Sequence, residues 1–171
     1  MSSVFYTRYT SPIGEMLIAS TEKGICKLDL SRDEEGFAKS LSAEFNARTV
    51  RDDGRFLRVR KMLDAYFEGK PTEFKASFDL RGTDFQRHVW DEISKIGYGK
   101  TCTYASIAQA IGRPKAVRAV GNAVGSNPIP LMIPCHRVIR KDGTLGGFGL
   151  GLPLKKWLLK LENVTPFPRS K

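Results

Sequence analysis

The residues best suited to chemistry in this chain form the string Pro134-Cys135-His136-Arg137. A thiolate is the reactive form of cysteine, and a free thiol with a pKa of about 8.5 needs activation before it attacks carbon. His136 and Arg137 stand beside it. Pro128, Pro130 and Pro134 restrict the backbone just before it, so Cys135 is expected on a rigid, extended piece of chain. Neighbouring side chains of an extended chain point to opposite faces. Direct contact between Cys135 and His136 is therefore not expected, and a proton relay through water is. The competing reading is a buried cysteine ahead of a turn.

The other candidates are weaker. Cys26 falls on the apolar face of an alternating stretch and reads as a small buried hydrophobe; Cys102, flanked by threonines, reads as structural. Three cysteines without close pairing do not make a disulfide-stapled module. There is no C-x-x-C, and His88 and His136 are far apart, so neither a metal nor another cofactor is expected. His88 shares a helix with Arg87 and Asp91 and reads as a surface residue. Glu162 is the only carboxylate after Asp142. It is either a solvated charge at a helix end or a partner for His136.

Elements must position these groups. Downstream of the cysteine, Lys141-Asp142-Gly143 is a turn and 146–151 (Gly-Gly-Phe-Gly-Leu-Gly) a flexible loop. With Phe148 and its backbone N–H groups, such a loop is able to wall a flat ligand. Leu154–Glu162 is predicted as an amphipathic helix with Leu154, Trp157, Leu158 and Leu161 inward, followed by a frayed tail at 165–171. Upstream, Asp84–Ile96 is predicted as a helix with Phe85, Val89, Ile93 and Ile96 buried and Trp90 beside them. A short helix follows from Thr103 as N-cap to Ile111, then a Gly112-Arg113 turn, then a second helix from Pro114 to Val124. This is a helix-turn-helix pattern. Val117, Val120 and Val124 would pack, leaving Lys115, Arg118 and Asn122 outward, while Ala116, Ala119, Gly121 and Ala123 permit close approach to another backbone, that of DNA included. An ordinary helical hairpin is the alternative.

The first half reads differently. Val4–Tyr9, Met16–Ser20 and Ile25–Leu30 are predicted strands of an antiparallel meander, and period-two alternation in the third describes a half-buried strand. Two amphipathic helices follow, at Asp33–Ala47 (Phe37, Leu41, Phe45) and Arg55–Glu68 (Phe56, Val59, Leu63, Tyr66, Phe67), the second stopped by Gly69-Lys70-Pro71. Ser77–Thr83 is the candidate linker. Charge changes there: residues 1–82 hold 14 basic and 13 acidic side chains, and residues 83–171 hold 14 and 5. A basic excess confined to one half suggests a polyanionic partner. No apolar run approaches the roughly 18 residues of a membrane span, and the N-terminus has no secretory-signal pattern.

Taken together, Pro134-Cys135-His136-Arg137-Val138, Asn127-Pro128, Lys115-Ala116-Val117-Arg118-Ala119-Val120-Gly121, the glycine loop and Leu158-Leu159-x-x-Glu162 resemble the O6-alkylguanine-DNA alkyltransferases. The resemblance implies an α/β (α+β) protein: a small ribonuclease-H-like N-terminal domain at 1–82 and a mainly helical helix-turn-helix domain at 83–171. It implies irreversible, single-turnover transfer of an alkyl group from O6 of guanine, or O4 of thymine, in double-stranded DNA to Cys135. His136 would take the thiol proton through water, Glu162 would orient the imidazole, and Asn127 would brace the site. Arg118 would enter the duplex from the minor groove where the damaged base has rotated out, and Tyr104 would aid that rotation and protonate N3 of the departing guanine. Lys115, Ala119, Gly121 and Asn122 would contact DNA. Pro130, Met132, Leu145, Gly146, Phe148 and Gly149 would line the substrate pocket.

Two departures stand out: Phe148 replaces a tyrosine found in many members, and Gly149 leaves only backbone to hydrogen-bond O6. The resemblance further implies a monomer, with room for cooperative loading on DNA, in the cytoplasm of a prokaryote or the nucleus of a eukaryote. Two rivals remain from the residues themselves: a non-catalytic helix-turn-helix regulator, which leaves the proline-fixed cysteine and the glycine loop unexplained, and a cysteine hydrolase, which has no need of so basic a domain.

Overall fold

A computed structural model describes residues 2–170. The chain divides between Leu80 and Arg81 into two compact units.

The first unit is built on strands β1 (Ser3–Ser11), β2 (Gly14–Ser20) and β3 (Ile25–Leu30), helix α1 (Glu34–Phe45), strand β4 (Arg48–Arg51) and helix α2 (Leu57–Phe67). The sheet order is β3-β2-β1-β4. The first three strands are the expected antiparallel meander, but β4 joins the edge parallel to β1, pairing Ser3 with Arg48 and Tyr6 with Arg51. Four residues with arginine at both ends carry too little pattern to read as a strand.

Alternation along β1 sorts two layers. Val4 and Tyr6 face a cluster with Leu17, Ala19, Cys26, Phe37, Leu41 and Phe45 under α1. On the other face Arg55 lies over Phe5, the Thr7 hydroxyl donates to Asp53, and the Tyr9 hydroxyl donates to Asp64 at 2.6 Å. Helices on both faces explain why β2 is buried without interruption from Met16 to Ser20. The expected linker is half structure. Ile25 bridges Phe78, and the Asp79 N–H donates to the Ile25 carbonyl at 2.8 Å, so the chain is held to β3 almost to the unit boundary.

The second unit opens with α3 (Asp84–Ser94), started by a capping box between Thr83 and Gln86. Its buried Trp90 donates from Nε1 to the Ala123 carbonyl at 2.8 Å. Strand β5 (Cys102–Thr103) runs straight into α4 (Tyr104–Ala110), where the Thr103 side chain caps the Ser106 N–H. Gly112 at φ +72° ends α4, and the Arg113 N–H returns to the Ala108 carbonyl.

Helix α5 spans Val117–Gly125, three residues later than expected. Pro114 lies in a turn closed by the Ala116 N–H on the Arg113 carbonyl rather than at the first helical position. This shift leaves Val117 exposed, contrary to expectation, while Val120, Ala123 and Val124 are buried. Strand β6 (Val138–Ile139) pairs in parallel with β5, and α6 (Leu152–Leu161) closes the unit.

Helix α6 also corrects the sequence reading. Trp157 is largely on the surface; the buried stripe is Lys155, Leu158, Leu159 and then Glu162. Charged residues at both ends of that stripe break the apolar pattern that points to Trp157 as inward. The tail is not frayed over 165–170. The Arg169 N–H donates to the Gly143 carbonyl and the Leu145 N–H to the Arg169 carbonyl; Lys171 lies outside the described residues. No helix among the described residues is long and apolar enough to cross a membrane.

Candidate active site

Cys135 does not sit in extended chain. Pro134 leads into a single 3-10 turn, Cys135–Arg137, and β6 follows at once. The segment before it is pinned by Asn127, whose side chain accepts from the Ile129 N–H at 3.0 Å and donates to the Ile133 carbonyl at 2.7 Å. Leu131 within it adopts φ +74°, a left-handed conformation costing a leucine about 1–2 kcal/mol. The backbone around the cysteine is therefore held by contacts rather than by proline alone.

The thiol is 6% exposed. Burial pushes its pKa up; the Asn127 side chain, the charge of Lys155 and the backbone N–H groups of Cys135 and His136 act in the opposite direction. A site that raises the thiol overall keeps it protonated near neutral pH, so an attacking thiolate needs a proton acceptor when substrate arrives.

His136 is fully buried, and its Nε2 lies 2.6 Å from Oε1 of Glu162. A carboxylate only accepts, so the ring carries its proton on Nε2 and holds its lone pair on Nδ1. Burial lowers the imidazole pKa more than the carboxylate raises it, which keeps the ring neutral and able to take a proton. Of the two readings of Glu162, the structure selects the partner for His136.

A residue that sequence reasoning passed over completes the group. Arg137 donates from Nε to Glu162 Oε2 at 2.9 Å, from Nη2 to Oε1 at 3.0 Å, and from Nη1 to the Ile96 carbonyl at 2.6 Å. The Gly99 N–H adds a fourth donor to the carboxylate. Burial alone would raise the Glu162 pKa, but His136 and Arg137 hold it down to about 2. The 3-10 turn is what lets two consecutive side chains, His136 and Arg137, converge on the one Glu162 carboxylate.

The acid stability of the fold follows. Glu162 binds fewer protons folded than unfolded between about pH 4.5 and 2, so stability falls as pH drops through that window, by on the order of 2–3 kcal/mol. His136 contributes in the same sense below its ordinary value, since unfolding lets it charge. Urea midpoints measured across this range should fall with pH. Glu162→Gln should be less stable at neutral pH, because it leaves the buried Arg137 charge unpaired, yet should fall less steeply than wild type between about pH 4.5 and 2, with the His136 contribution remaining. Parallel acid slopes in the two proteins would show that Glu162 is not the group that titrates.

Tyr104 reaches the same site from the start of α4, directly after β5, where it and the Cys135 thiol act on each other electrostatically. Its hydroxyl makes a long 3.5 Å contact with the Gly147 carbonyl, and a Cβ on Gly146 would lie 2.9 Å from that ring. Only glycine, at φ +72°, fits there. Burial raises the Tyr104 pKa, so it remains a phenol with a proton to give.

The loop is also not the free glycine run expected. Lys155, fully buried on α6, donates to the carbonyls of Val138 at 2.6 Å, Leu145 at 2.5 Å and Gly147 at 3.1 Å. Leu145 packs with Leu159 and Val164 in a small core beneath the loop. Pro130 and Met132 are buried beside the cysteine segment, Gly146 and Phe148 are half-buried, and Gly149 is exposed.

On α5 and the turn before it, Lys115, Arg118, Ala119 and Asn122 are exposed and Gly121 half-buried. His88 is exposed on α3. Among the described residues no cluster of three or more His, Cys, Asp or Glu side chains has the arrangement of a metal site.

A two-unit protein with a buried thiol, an imidazole–carboxylate pair and exposed cations at Lys115 and Arg118 has close counterparts. Residues 4–80 match the model of the 6-O-methylguanine DNA methyltransferase ribonuclease-like domain, and residues 84–164 match that of the DNA binding domain of the same family. A methylated-DNA–protein-cysteine methyltransferase of Methanosarcina barkeri is 43% identical over 93% of this chain and 97% of its own length. One from Haemophilus influenzae is 41% identical over 96% and 89%. Among solved structures, the Mycobacterium tuberculosis O6-methylguanine methyltransferase superposes with a TM-score of 0.79 at 42% identity, covering 94% of this chain and 93% of that one. The M. tuberculosis protein in complex with DNA gives 0.78 at 40%, covering 92% of both. The chain belongs to the methylated-DNA–protein-cysteine methyltransferase family.

Proposed function

We propose that this protein repairs DNA by direct reversal, moving an alkyl group from O6 of guanine, and from O4 of thymine, in duplex DNA onto Cys135. The observation that carries the reading is the buried thiol on a 3-10 turn next to an imidazole whose tautomer is set by an ionised carboxylate. Sγ attacks the alkyl carbon; the S–C bond forms as the C–O6 bond breaks, and the electron pair passes into the guanine ring. The thiol proton goes to His136 Nδ1 through water. Tyr104 delivers its proton to N3, so guanine leaves neutral. The product thioether has no good leaving group, and each molecule acts once.

An alkyl carbon inside the base stack is out of reach of a buried thiol, so the base must leave the duplex, at a cost of a few kcal/mol. We read α4, the turn and α5 as a helix-turn-helix that meets the minor groove. Its small residues Ala119 and Gly121 allow close approach, and Arg118 fills the gap in the stack. Lys115 and Asn122 contact the backbone, and Phe148 walls the extruded base. We read the unit that ends at Leu80 as the ribonuclease-like domain and the unit that begins at Arg81 as the alkyltransferase domain. The protein works as a monomer wherever the cell keeps its DNA, in cytoplasm or nucleus.

Mixing the protein with an excess of O6-methylguanine duplex tests the reading. One methyl per chain, on the peptide containing Cys135, supports it; repeated turnover would mark a hydrolase, and no transfer would leave only a DNA-binding protein. Affinity for DNA should also fall linearly with salt on logarithmic axes. Lys115→Ala, which removes one exposed cation, should reduce that slope by about one. A flat salt dependence in a filter or anisotropy titration would give the basic face another use.

A further inference from the structure

Lys155 is the buried charge that the chemistry above leaves unused. It is fully buried, and its three hydrogen-bond acceptors come from two segments: Val138 just after the cysteine turn, and Leu145 and Gly147 in the glycine loop. An ammonium group has three donors, and all three are placed. Isolated lysines at such depth are rare, because the cost of removing the charge from water is large unless something offsets it. Three carbonyls tie the ends of the pocket together, yet neutral amide donors would do that at lower cost. A positive charge is useful here only if a negative one develops nearby.

We propose that Lys155 is a positioning residue for alkyl transfer: its ammonium clamps the glycine loop to the cysteine turn and stabilises the thiolate that forms at Cys135. This rests on Cys135 being the acceptor. The two groups act on each other: Lys155 lowers the thiol pKa, and a thiolate at Cys135 raises that of Lys155. The other ionisable groups facing the pair are His136, whose charged form Lys155 disfavours, Arg140, which opposes the ammonium, and Tyr104, which senses both Arg140 and Cys135. Burial brings the Lys155 pKa down to about 8. The clamp and the charge are thus both lost on the alkaline side, within reach of ordinary buffers.

The thiol can be probed without DNA. In wild type and Lys155→Met, the rate of Cys135 carbamidomethylation by iodoacetamide is followed from pH 6 to 10, with the labelled peptide identified by mass. Lys155→Met is expected to slow labelling about tenfold between pH 6 and 7.5, where the ammonium is charged, and to leave the two rates alike above pH 9, where it is not. A variant that merely loosened the loop would label faster at every pH, and that would overturn the charge role.

A second measurement covers a variant that does not fold. In unmutated protein labelled with 15N at lysine side chains, the Lys155 Nζ signal gives the midpoint at which the ammonium is lost. The rate of wild-type Cys135 labelling should flatten as pH rises through that midpoint, before the thiol itself ionises. A rate that climbs straight through the midpoint would overturn the proposal. Failure of wild type to accept methyl from O6-methylguanine DNA would instead overturn the acceptor reading, a result these two measurements do not share.

Discussion

Cys135→Ala should eliminate alkyl transfer entirely while leaving affinity for duplex DNA within a factor of two or so of wild type. The sulfur is the bond-forming atom, so its loss removes the reaction instead of slowing it. The other thiols are poor substitutes. Cys26 is buried in the core of the first unit beneath α1, and burial raises the pKa of Cys102 in β5. The exposed residues of α5 and its preceding turn, the proposed DNA contacts, are untouched by the change. Removing one buried sulfur should cost about 1 kcal/mol, too little to unfold a domain of ordinary stability. Mass mapping after exposure to methylated duplex, with anisotropy for binding, checks both halves. A methyl group appearing on the peptide of Cys26 or Cys102 would sink the assignment.

Arg118→Ala should separate base extrusion from chemistry. Arg118 is exposed on the first turn of α5, so truncation should change stability by less than about 0.5 kcal/mol. If its guanidinium fills the space vacated in the duplex, its interaction energy is gained only once the base is out. Transfer from duplex should then slow about tenfold to a hundredfold, matching a loss of about 1–3 kcal/mol. Transfer from free O6-benzylguanine, which needs no extrusion, should be nearly unchanged. Arg118→Lys keeps the charge but lacks the planar fork that stacks between bases, so it should recover binding more than rate. The deciding quantity is the ratio of duplex to free-base rates. Equal slowing on both substrates would assign Arg118 to pocket or fold and end the extrusion role.

Much of the second unit was legible because its signals are local. Thr83 and Thr103 cap the helices they precede, Gly112 ends α4, and the mixed α/β class follows from meander and helices in sequence. Errors gathered where a residue's environment comes from distant chain. Apolar spacing points Val117 and Trp157 inward, but the register of α5 and a buried lysine on α6 turn both toward the surface. The tail was read as frayed since nothing within it predicts its pairing with Gly143 and Leu145. β4, β5 and β6 are two to four residues long, and strands so short exist only through their partners.

The sequence by itself determined which residues are candidates for the chemistry. A proline-flanked cysteine with histidine beside it, a glycine run, and a basic second half with small residues on one helix are properties of residue type and order. Tertiary structure alone decided how those residues work together. Tyr104 at the start of α4 meets the glycine loop and acts on the thiol, the 3-10 turn lets His136 and Arg137 converge on one carboxylate, and the last helix and its cap bring Lys155 and Glu162 in from more than fifteen residues away. The physical reason is that charge and hydrogen bonding in a dry interior depend on distance in space. A lysine and a glutamate that look like ordinary surface residues in the sequence become, once buried, charges that act directly on the thiol and on the imidazole.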